Sequence, residues 1–352
     1  MKVFRGLQAA ALRDLHAGCA LTIGNFDGVH RGHQAMIALL KNEAQHRGVK
    51  ACALTFEPHP RDYFAAQVGK PELAPARIST LRDKLQELAA CGLDAAVILP
   101  FNAKLAAMPA QAFVDEVLVH SMNAKYVLVG DDFRFGAKRL GDYDFLDRAS
   151  RAANFDVARM NSYEVHGLRV SSSAVRESLA AGRMRDAAKL LGRPYSVSGH
   201  VVHGRKLGRE LGKGPARPDG FPTLNLRFSS RHHLWQPAAS GIFAVLVHGI
   251  GPTPLQGVAN FGTRPSIDAN DVNGGRVLLE THVLDWPQAL PLDYAYGKII
   301  RVELLHKLHD ELKYASLDLL MRGIEQDCAD ARAWFSQETP LDALATAPAA
   351  LL

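Results

Sequence analysis

The rhythm of apolar and polar positions changes once along the chain, near residue 190. Ahead of that point, short apolar runs alternate with stretches in which apolar residues recur every three or four positions, the pattern of strands separated by amphipathic helices. Cys19 to Ile23 predicts a strand, Ala35 to Gln45 a helix with Gly48 as its stop, and Val49 to Phe56 a second strand. Thr80-Leu81-Arg82-Asp83 reads as a capping box that opens a helix to Cys91, with Gly92 ending it. Ala95 to Leu99 is the third predicted strand, Pro109 starts a helix to His120, Tyr126 to Val129 is the fourth strand, and Gly141 to Ala153 with Phe155 to Met160 is the next helix and strand. A short polar hairpin and two more helices, Ala174 to Leu179 and Met184 to Leu191, complete this half. Regular alternation of strand and helix predicts an α/β fold, a doubly wound parallel sheet with helices on both faces.

Past Gly192 the helical spacing stops and β-like runs succeed one another between Gly/Pro turns. Ser196 to His203, Thr223 to Phe228, Gly241 to Val247, Leu255 to Asn260, Val277 to Leu284 and Ile299 to Leu305 predict a small antiparallel β-barrel. An amphipathic helix, Leu317 to Phe335, would close it. The expected organisation is a domain over residues 1–188, a second over 189–336, and a tail, 337–352, rich in Ala, Pro and Leu and expected to be disordered.

Composition changes this picture little. At 352 residues, 47% hydrophobic and 22% charged, the chain has the make-up of a globular protein large enough for two packed domains. A net charge of +5 suits a protein that handles polyanions, but so modest an excess is common without such a partner and carries little weight. Cys19, Cys52, Cys91 and Cys328 are far apart and form no C-x-x-C pair, which argues against a zinc knuckle and for free thiols in a reducing compartment. Arg13 and Asp14 interrupt the first apolar stretch, and no apolar run approaches the ~20 residues of a membrane span, so a cytoplasmic location with no membrane partner is expected.

The densest chemistry lies in Ile23-Gly24-Asn25-Phe26-Asp27-Gly28-Val29-His30-Arg31-Gly32-His33, a glycine-rich turn between a strand and a helix start. Such a turn binds phosphate, because glycines let backbone approach an anion and the free N–H groups of the helix start supply donors. His30 and His33, three apart, can face one phosphate chain. The pattern is neither a Walker loop nor G-x-G-x-x-G. His-x-Gly-His after such a turn resembles the nucleotidyltransferases that act at the α-phosphate of ATP, and the full stretch resembles the bacterial bifunctional riboflavin kinase/FAD synthetase family.

Further segments bear on the same resemblance. His59 sits between Pro58 and Pro60 after the second strand; spacing alone fits a ligand contact and a plain turn equally, and the resemblance selects the former, an FMN contact. Gly130-Asp131-Asp132-Phe133-Arg134-Phe135-Gly136 fits either a turn over core phenylalanines or a platform for an aromatic ring bearing a phosphate; the resemblance implies FMN contacts from Asp132 and Arg134. Ser171, Ser172 and Ser173 precede a helix, where N-capping accounts for one of them; Arg176 comes one turn later, and together they offer a second phosphate site. The resemblance implies ATP contacts from Gly24, Asn25, Phe26, Asp27, Gly32 and the three serines, with His30, His33 and Arg176 stabilising charge as the phosphate of FMN attacks ATP to give FAD and pyrophosphate. Asp27 could orient a histidine, contact ATP or brace the turn.

In the second half, Gly204, Lys206 and Gly208 belong to a basic, glycine-rich stretch that is not a Walker site and reads either as a phosphate-wrapping loop or as a solvated turn. Phe221-Pro222-Thr223-Leu224-Asn225-Leu226 resembles the riboflavin kinase signature, which implies that Thr223 and Asn225 hold Mg²⁺-ATP. Gly257 to Pro265 and Leu279-Glu280-Thr281-His282 resemble the same module. Strand alternation puts Glu280 and His282 on one face, and Glu280 is the candidate general base for the riboflavin 5′-hydroxyl. The chain departs from the family pattern by inserting Lys213 to Gly220, by Leu224 for a small Ala, by Tyr294-Ala295-Tyr296-Gly297, and by His309 in place of an Arg. The expected partners are riboflavin, FMN and ATP, with FAD as product, Mg²⁺ as cofactor, no nucleic acid, and an oligomeric state left open that includes a transient homo-oligomer. Two other readings remain: an adenylyltransferase whose kinase module only binds flavin, and a flavin-responsive nucleic-acid-binding regulator using the basic residues Arg205 to Arg217, which has no helix-turn-helix or RNA-binding signature behind it.

Overall fold

The computed structural model describes residues 1–7, 15, 17–165, 168–203, 220–228, 236–263, 277–291 and 293–337. Two compact units form: Met1–Pro75 with Leu81–Ser172, and Ala76–Thr80 with the chain from Ser173 onward.

The first unit is built on a six-stranded parallel sheet. Its strands are β1 (Lys2–Arg5), β2 (Cys19–Ile23), β3 (Lys50–Glu57), β4 (Ala95–Pro100), β5 (Ala124–Gly130) and β6 (Asp156–Met160), in the spatial order β1-β4-β3-β2-β5-β6. The chain starts winding at β2, moves outward through β3 and β4, then crosses back to β5 and β6, so β2 and β5 flank the point where the winding reverses. Every residue of β2 is buried because both faces of the sheet are covered. Cys19, Leu21 and Ile23 pack with Leu54, Val97, Val127 and Leu146 on one face; Ala20 packs with Ile37, Leu40, Ala53 and Leu88 on the other. Among the helices of this unit are α1 (Arg31–His46), α2 (Pro60–Gln67) and α3 (Leu81–Ala90).

Local differences from the sequence expectations have physical causes. The helix expected from Pro109 begins at Ala110 but is π-helical over Phe113–Ser121. The helix expected from Gly141 begins at Tyr143, because the Asp142 side chain caps it by accepting from the Phe145 N–H at 2.9 Å while Gly141 bonds back to Phe135. Strand β1 had no sequence signal: four residues with three exposed offer too little alternation. The hairpin after Met160 is the strand pair β7 (Glu164–Val165) and β8 (Leu168–Arg169).

The second unit is a closed antiparallel barrel. Its strands are β9 (Tyr195–Val202), β10 (Leu224–Arg227), β11 (Gly241–His248), β12 (Leu255–Thr263), β13 (Val277–Val283) and β14 (Ile299–His309), in the order β10-β13-β12-β11-β14-β9. All six correspond to predicted runs. The helix Leu317–Gln337 comes next, and its Cys328 and Ala331 pack with Phe221, Ile242, Ala244 and Val258. Ala76–Thr80 joins this unit by backbone pairing: the Arg77 N–H donates to the Gln236 carbonyl at 2.7 Å and the Ala238 N–H to the Arg77 carbonyl at 3.0 Å. All four cysteines are free thiols, as expected, and the Cys52 thiol is pushed far up by its hydrogen bond with Cys19 and by burial. No helix among the described residues is long and apolar enough to cross a membrane.

Candidate active sites

In the first unit the turn between β2 and α1 brings His30 and His33 together. His30 is the N-cap of α1, with its Nδ1 accepting the His33 backbone N–H at 3.4 Å. The two imidazoles stack, with ring centroids 3.7 Å apart and planes 16° from parallel. The Phe26 ring meets His33 edge-on at 5.1 Å. Two rings in such contact cannot both carry charge cheaply. The His33 pKa lies well below the usual histidine range, first because of burial and then because of the positive fields of His30 and Lys84. The His33 Nδ1 is itself buried and has no hydrogen-bond partner among the described residues.

The turn is held in a demanding shape. Phe26 and Val29 adopt φ of 48° and 41°, a left-handed conformation that costs a β-branched residue in particular, while Gly28 takes φ 88° without that cost. Burial of both side chains, Phe26 at 1% and Val29 at 0% exposure, keeps them there. Gly24 and Gly32 sit in tight surroundings, since a Cβ would lie 3.2 Å from the Phe26 ring at the first and 3.3 Å from the His30 ring at the second. The Phe26 and Asp27 side chains are both buried, each at 1% exposure. The Asn25 carbonyl accepts from the Thr55 hydroxyl at 3.3 Å, and the Asp27 carbonyl from the Ser172 hydroxyl at 3.0 Å.

The remaining expected residues of this half divide. Ser172 opens the helix Ser172–Ala180 and is tied to the phosphate turn; Ser171 is partly buried and Ser173 exposed. Arg176 stands one turn along that helix, its Nε donating to the Ala76 carbonyl at 2.6 Å. His59 is buried, and its Nδ1 accepts from the Arg61 N–H at 3.1 Å, so it caps α2 instead of lying in an open turn. Arg134 pairs with Asp142 at 3.0 Å, Phe133 stacks on Phe135 at 5.4 Å, and Phe135 belongs to the core, so the turn-over-core description holds for the phenylalanines. Asp132 lies beside Gly130 at the end of β5. The residue that sequence reasoning missed is Lys84: fully buried, its Nζ donates to the Thr55 hydroxyl at 3.3 Å. The only hint was a lysine on the apolar stripe of α3, in line with Leu81 and Leu88.

In the second unit, strand register builds a row. Asn225 on β10 and Asn260 on β12 both pair with Glu280 on β13, one from each side. Directly paired residues share a face, so Asn225, Glu280 and Asn260 lie side by side, while Leu224, Thr281 and Ala259 point to the opposite, buried face. Glu280 and His282 share a face, as alternation predicted, and both are partly exposed where Thr281 is fully buried. The Asn225 side-chain amide donates to the Thr223 hydroxyl and carbonyl, each at 3.3 Å, leaving its own carbonyl oxygen as an acceptor next to that hydroxyl. Two neutral oxygens so placed are the donor set that a hard divalent cation takes beside phosphate oxygens. His282 is held by the Pro222 carbonyl at 2.9 Å and meets Phe221 edge-on at 5.5 Å. Asn260 donates to Glu311 at 3.3 Å. His309 bonds the Asp310 carbonyl through Nδ1 at 2.6 Å and Asp327 through Nε2 at 2.7 Å. Gly204, Lys206, Gly208, the insertion Lys213 to 219, Arg264, Pro265 and the tail 338–352 lie outside the described residues.

A glycine-rich turn at the reversal point of a parallel sheet, joined in one chain to a barrel carrying an Asn-Glu-Asn row, fits a two-unit transferase, and comparison with known proteins gives that class. A FAD synthetase family model matches residues 12–174 and a riboflavin kinase model residues 191–335. The bifunctional riboflavin kinase/FMN adenylyltransferase of Escherichia coli strain K12 is 41% identical over 340 residues, 97% of this chain and 100% of that protein. Those of Pseudomonas fluorescens and Haemophilus influenzae are 41% and 39% identical, over 95% and 96% of this chain and 97% and 100% of theirs. The chain belongs to the bifunctional riboflavin kinase/FMN adenylyltransferase family. A crystal structure described as a macrolide-efflux protein from Streptococcus pneumoniae shares the fold, with TM-score 0.72 at 24% identity over 95% of this chain and 100% of that one.

Proposed function

We propose that this chain makes FAD from riboflavin in two steps, each consuming ATP. Residues 189–336 phosphorylate riboflavin to FMN, and residues 1–188 adenylylate FMN to FAD with release of pyrophosphate. The observation that carries this is the pairing in one chain of the stacked His30–His33 turn and the Asn225–Glu280–Asn260 row, each inside its matched family region.

In the first step Glu280 takes the proton of the ribityl 5′-hydroxyl as that oxygen attacks the γ-phosphorus of ATP, and ADP leaves. Thr223 and Asn225 would hold Mg²⁺, which when bound offsets charge on the phosphate oxygens. In the second step a phosphate oxygen of FMN attacks the α-phosphorus of the second ATP and displaces pyrophosphate. The protein's task there is alignment and charge stabilisation. The turn Gly24 to His33, with its two imidazoles, is assigned to the triphosphate, as are Ser171, Ser172, Ser173 and Arg176. A neutral His33 enters this site without a fixed charge and donates a hydrogen bond to the anion. His59, Asp132 and Arg134 are assigned to FMN, which requires Arg134 to exchange Asp142 for the flavin phosphate. The cytoplasm, which supplies ATP, is the proposed location.

The test is a time course with purified protein and Mg²⁺-ATP, started from riboflavin or from FMN, separating riboflavin, FMN and FAD by chromatography. FAD from both starts supports two working sites. FAD from FMN alone limits the chain to adenylyl transfer, and no turnover from either start refutes the proposal.

A further inference from the structure

Among the buried groups that the two-step reaction leaves without a role, Lys84 stands out. It occupies the apolar stripe of α3 with no exposed surface, where a leucine or methionine would pack without any polar group to satisfy. Burying an amine there is costly, and an apolar side chain of similar volume is commonly neutral or stabilising at such a position. Its retention therefore calls for a benefit other than stability. The geometry indicates one. Lys84 donates to the Thr55 hydroxyl at 3.3 Å, and that hydroxyl donates onward to the Asn25 carbonyl at 3.3 Å, so a two-bond relay runs from α3 through the end of β3 into the phosphate-binding turn.

We propose that Lys84 is a positioning residue for adenylyl transfer, clamping the turn at Asn25 through Thr55. The proposal rests on the adenylyltransferase reading of the first unit. The relay explains how a turn with two left-handed non-glycine residues keeps a single shape: Asn25 is anchored through its carbonyl, while the buried Phe26 and Val29 side chains anchor the rest of the turn. Beside the relay, Lys84 also contributes, after burial and His30, to holding the His33 pKa down. An alignment error of about 1 Å in such a turn is worth roughly 10²-fold in rate.

Lys84→Met and Thr55→Val test this, singly and together, in the full-length chain. The expected result for K84M is a fall of about 10-fold to 100-fold in kcat for FAD formation from FMN. Riboflavin phosphorylation by the same molecules should continue unchanged, and the melting temperature should be equal or higher. T55V should reproduce the kcat loss, and the double variant should be no slower than the slower single one, because both cut the same relay. Three results overturn the proposal: K84M as fast as wild type, losses that multiply in the double variant, or a fall in melting temperature that takes both activities with it. A wild-type chain that forms no FAD from FMN overturns the functional reading itself, and Lys84's role with it; a wild type that does, with K84M equally fast, removes only the role of Lys84.

Discussion

Replacing His309 with glutamine removes a charge from the join between the barrel and the helix after it. His309 ends β14 and reaches Asp327 on the helix Leu317–Gln337. Both of its ring nitrogens face acceptors, the Asp310 carbonyl and the Asp327 carboxylate, and an imidazole donates from both only when protonated. Burial, the largest single influence, lowers the His309 pKa, but the bonds to Asp327 and the Asp310 carbonyl together outweigh it and the net shift is upward. Asp327 also shifts upward, since burial outweighs the pull of His309 on a carboxylate whose residue is 8% exposed. Both shifts have one sign: the folded chain holds these protons more tightly than the unfolded chain. His309 therefore contributes its full stability below its unfolded value of about 6.5 and loses it as pH rises through the higher folded value. A charge-assisted hydrogen bond contributes about 1.5–3 kcal/mol. With 29% of the His309 side chain exposed, the lower part of that range, about 2 kcal/mol, applies. For a unit of this size that is roughly 4–8 °C in melting temperature. Trp286 and Trp334 belong to the described part of the second unit, and residues 1–172 hold no tryptophan, so tryptophan fluorescence does not report on the first unit. His309→Gln should melt about 5 °C below wild type at pH 6 and within about 2 °C of it at pH 9. An equal gap at the two pH values, or no gap at pH 6, refutes the imidazolium–carboxylate pair.

Three further outcomes are expected. Glu280→Gln should slow riboflavin phosphorylation by about 10²-fold to 10⁴-fold while FAD still forms from FMN at the wild-type rate, measured by the chromatographic time course. His33→Ala should do the converse, lowering FAD formation from FMN by about 10²-fold to 10³-fold and sparing FMN formation. Gly136→Ala should destabilise the first unit by at least about 2 kcal/mol in denaturant titration, because Gly136 has φ 72° and a Cβ would sit 2.7 Å from the Ala110 backbone.

Much of the architecture was legible because period carries it. The alternation of β13 placed Glu280 and His282 on one face without any knowledge of pairing, and the glycine spacing of residues 24–32 marked a turn that the structure shows to be crowded against Phe26 and His30. The illegible parts depended on register or on burial. Nothing in the sequence aligns Asn260 with Glu280, since they are brought together by the pairing of β12 with β13. Lys84 looked like an ordinary helix lysine because its burial is decided by the surface that α3 packs against. His59 offered no clue that its ring would cap α2, because two flanking prolines are equally at home in an open turn. In Arg134, the sequence displayed a free guanidinium where the fold supplies Asp142 as a partner.

The pairing of Ala76–Thr80 with the segment Gln236–Ala238 makes the second unit discontinuous in sequence. A single cut in the chain, whether by a protease or by a gene fission, cannot release that unit whole: a fragment beginning at residue 189 leaves behind the backbone that receives the Ala238 N–H and donates to Gln236. The same connectivity orders its assembly in time. β9 pairs with Ile299–Leu304 of β14, so the ring cannot close before that strand has been synthesised, whereas Arg77 meets partners, Gln236 and Ala238, that are made earlier.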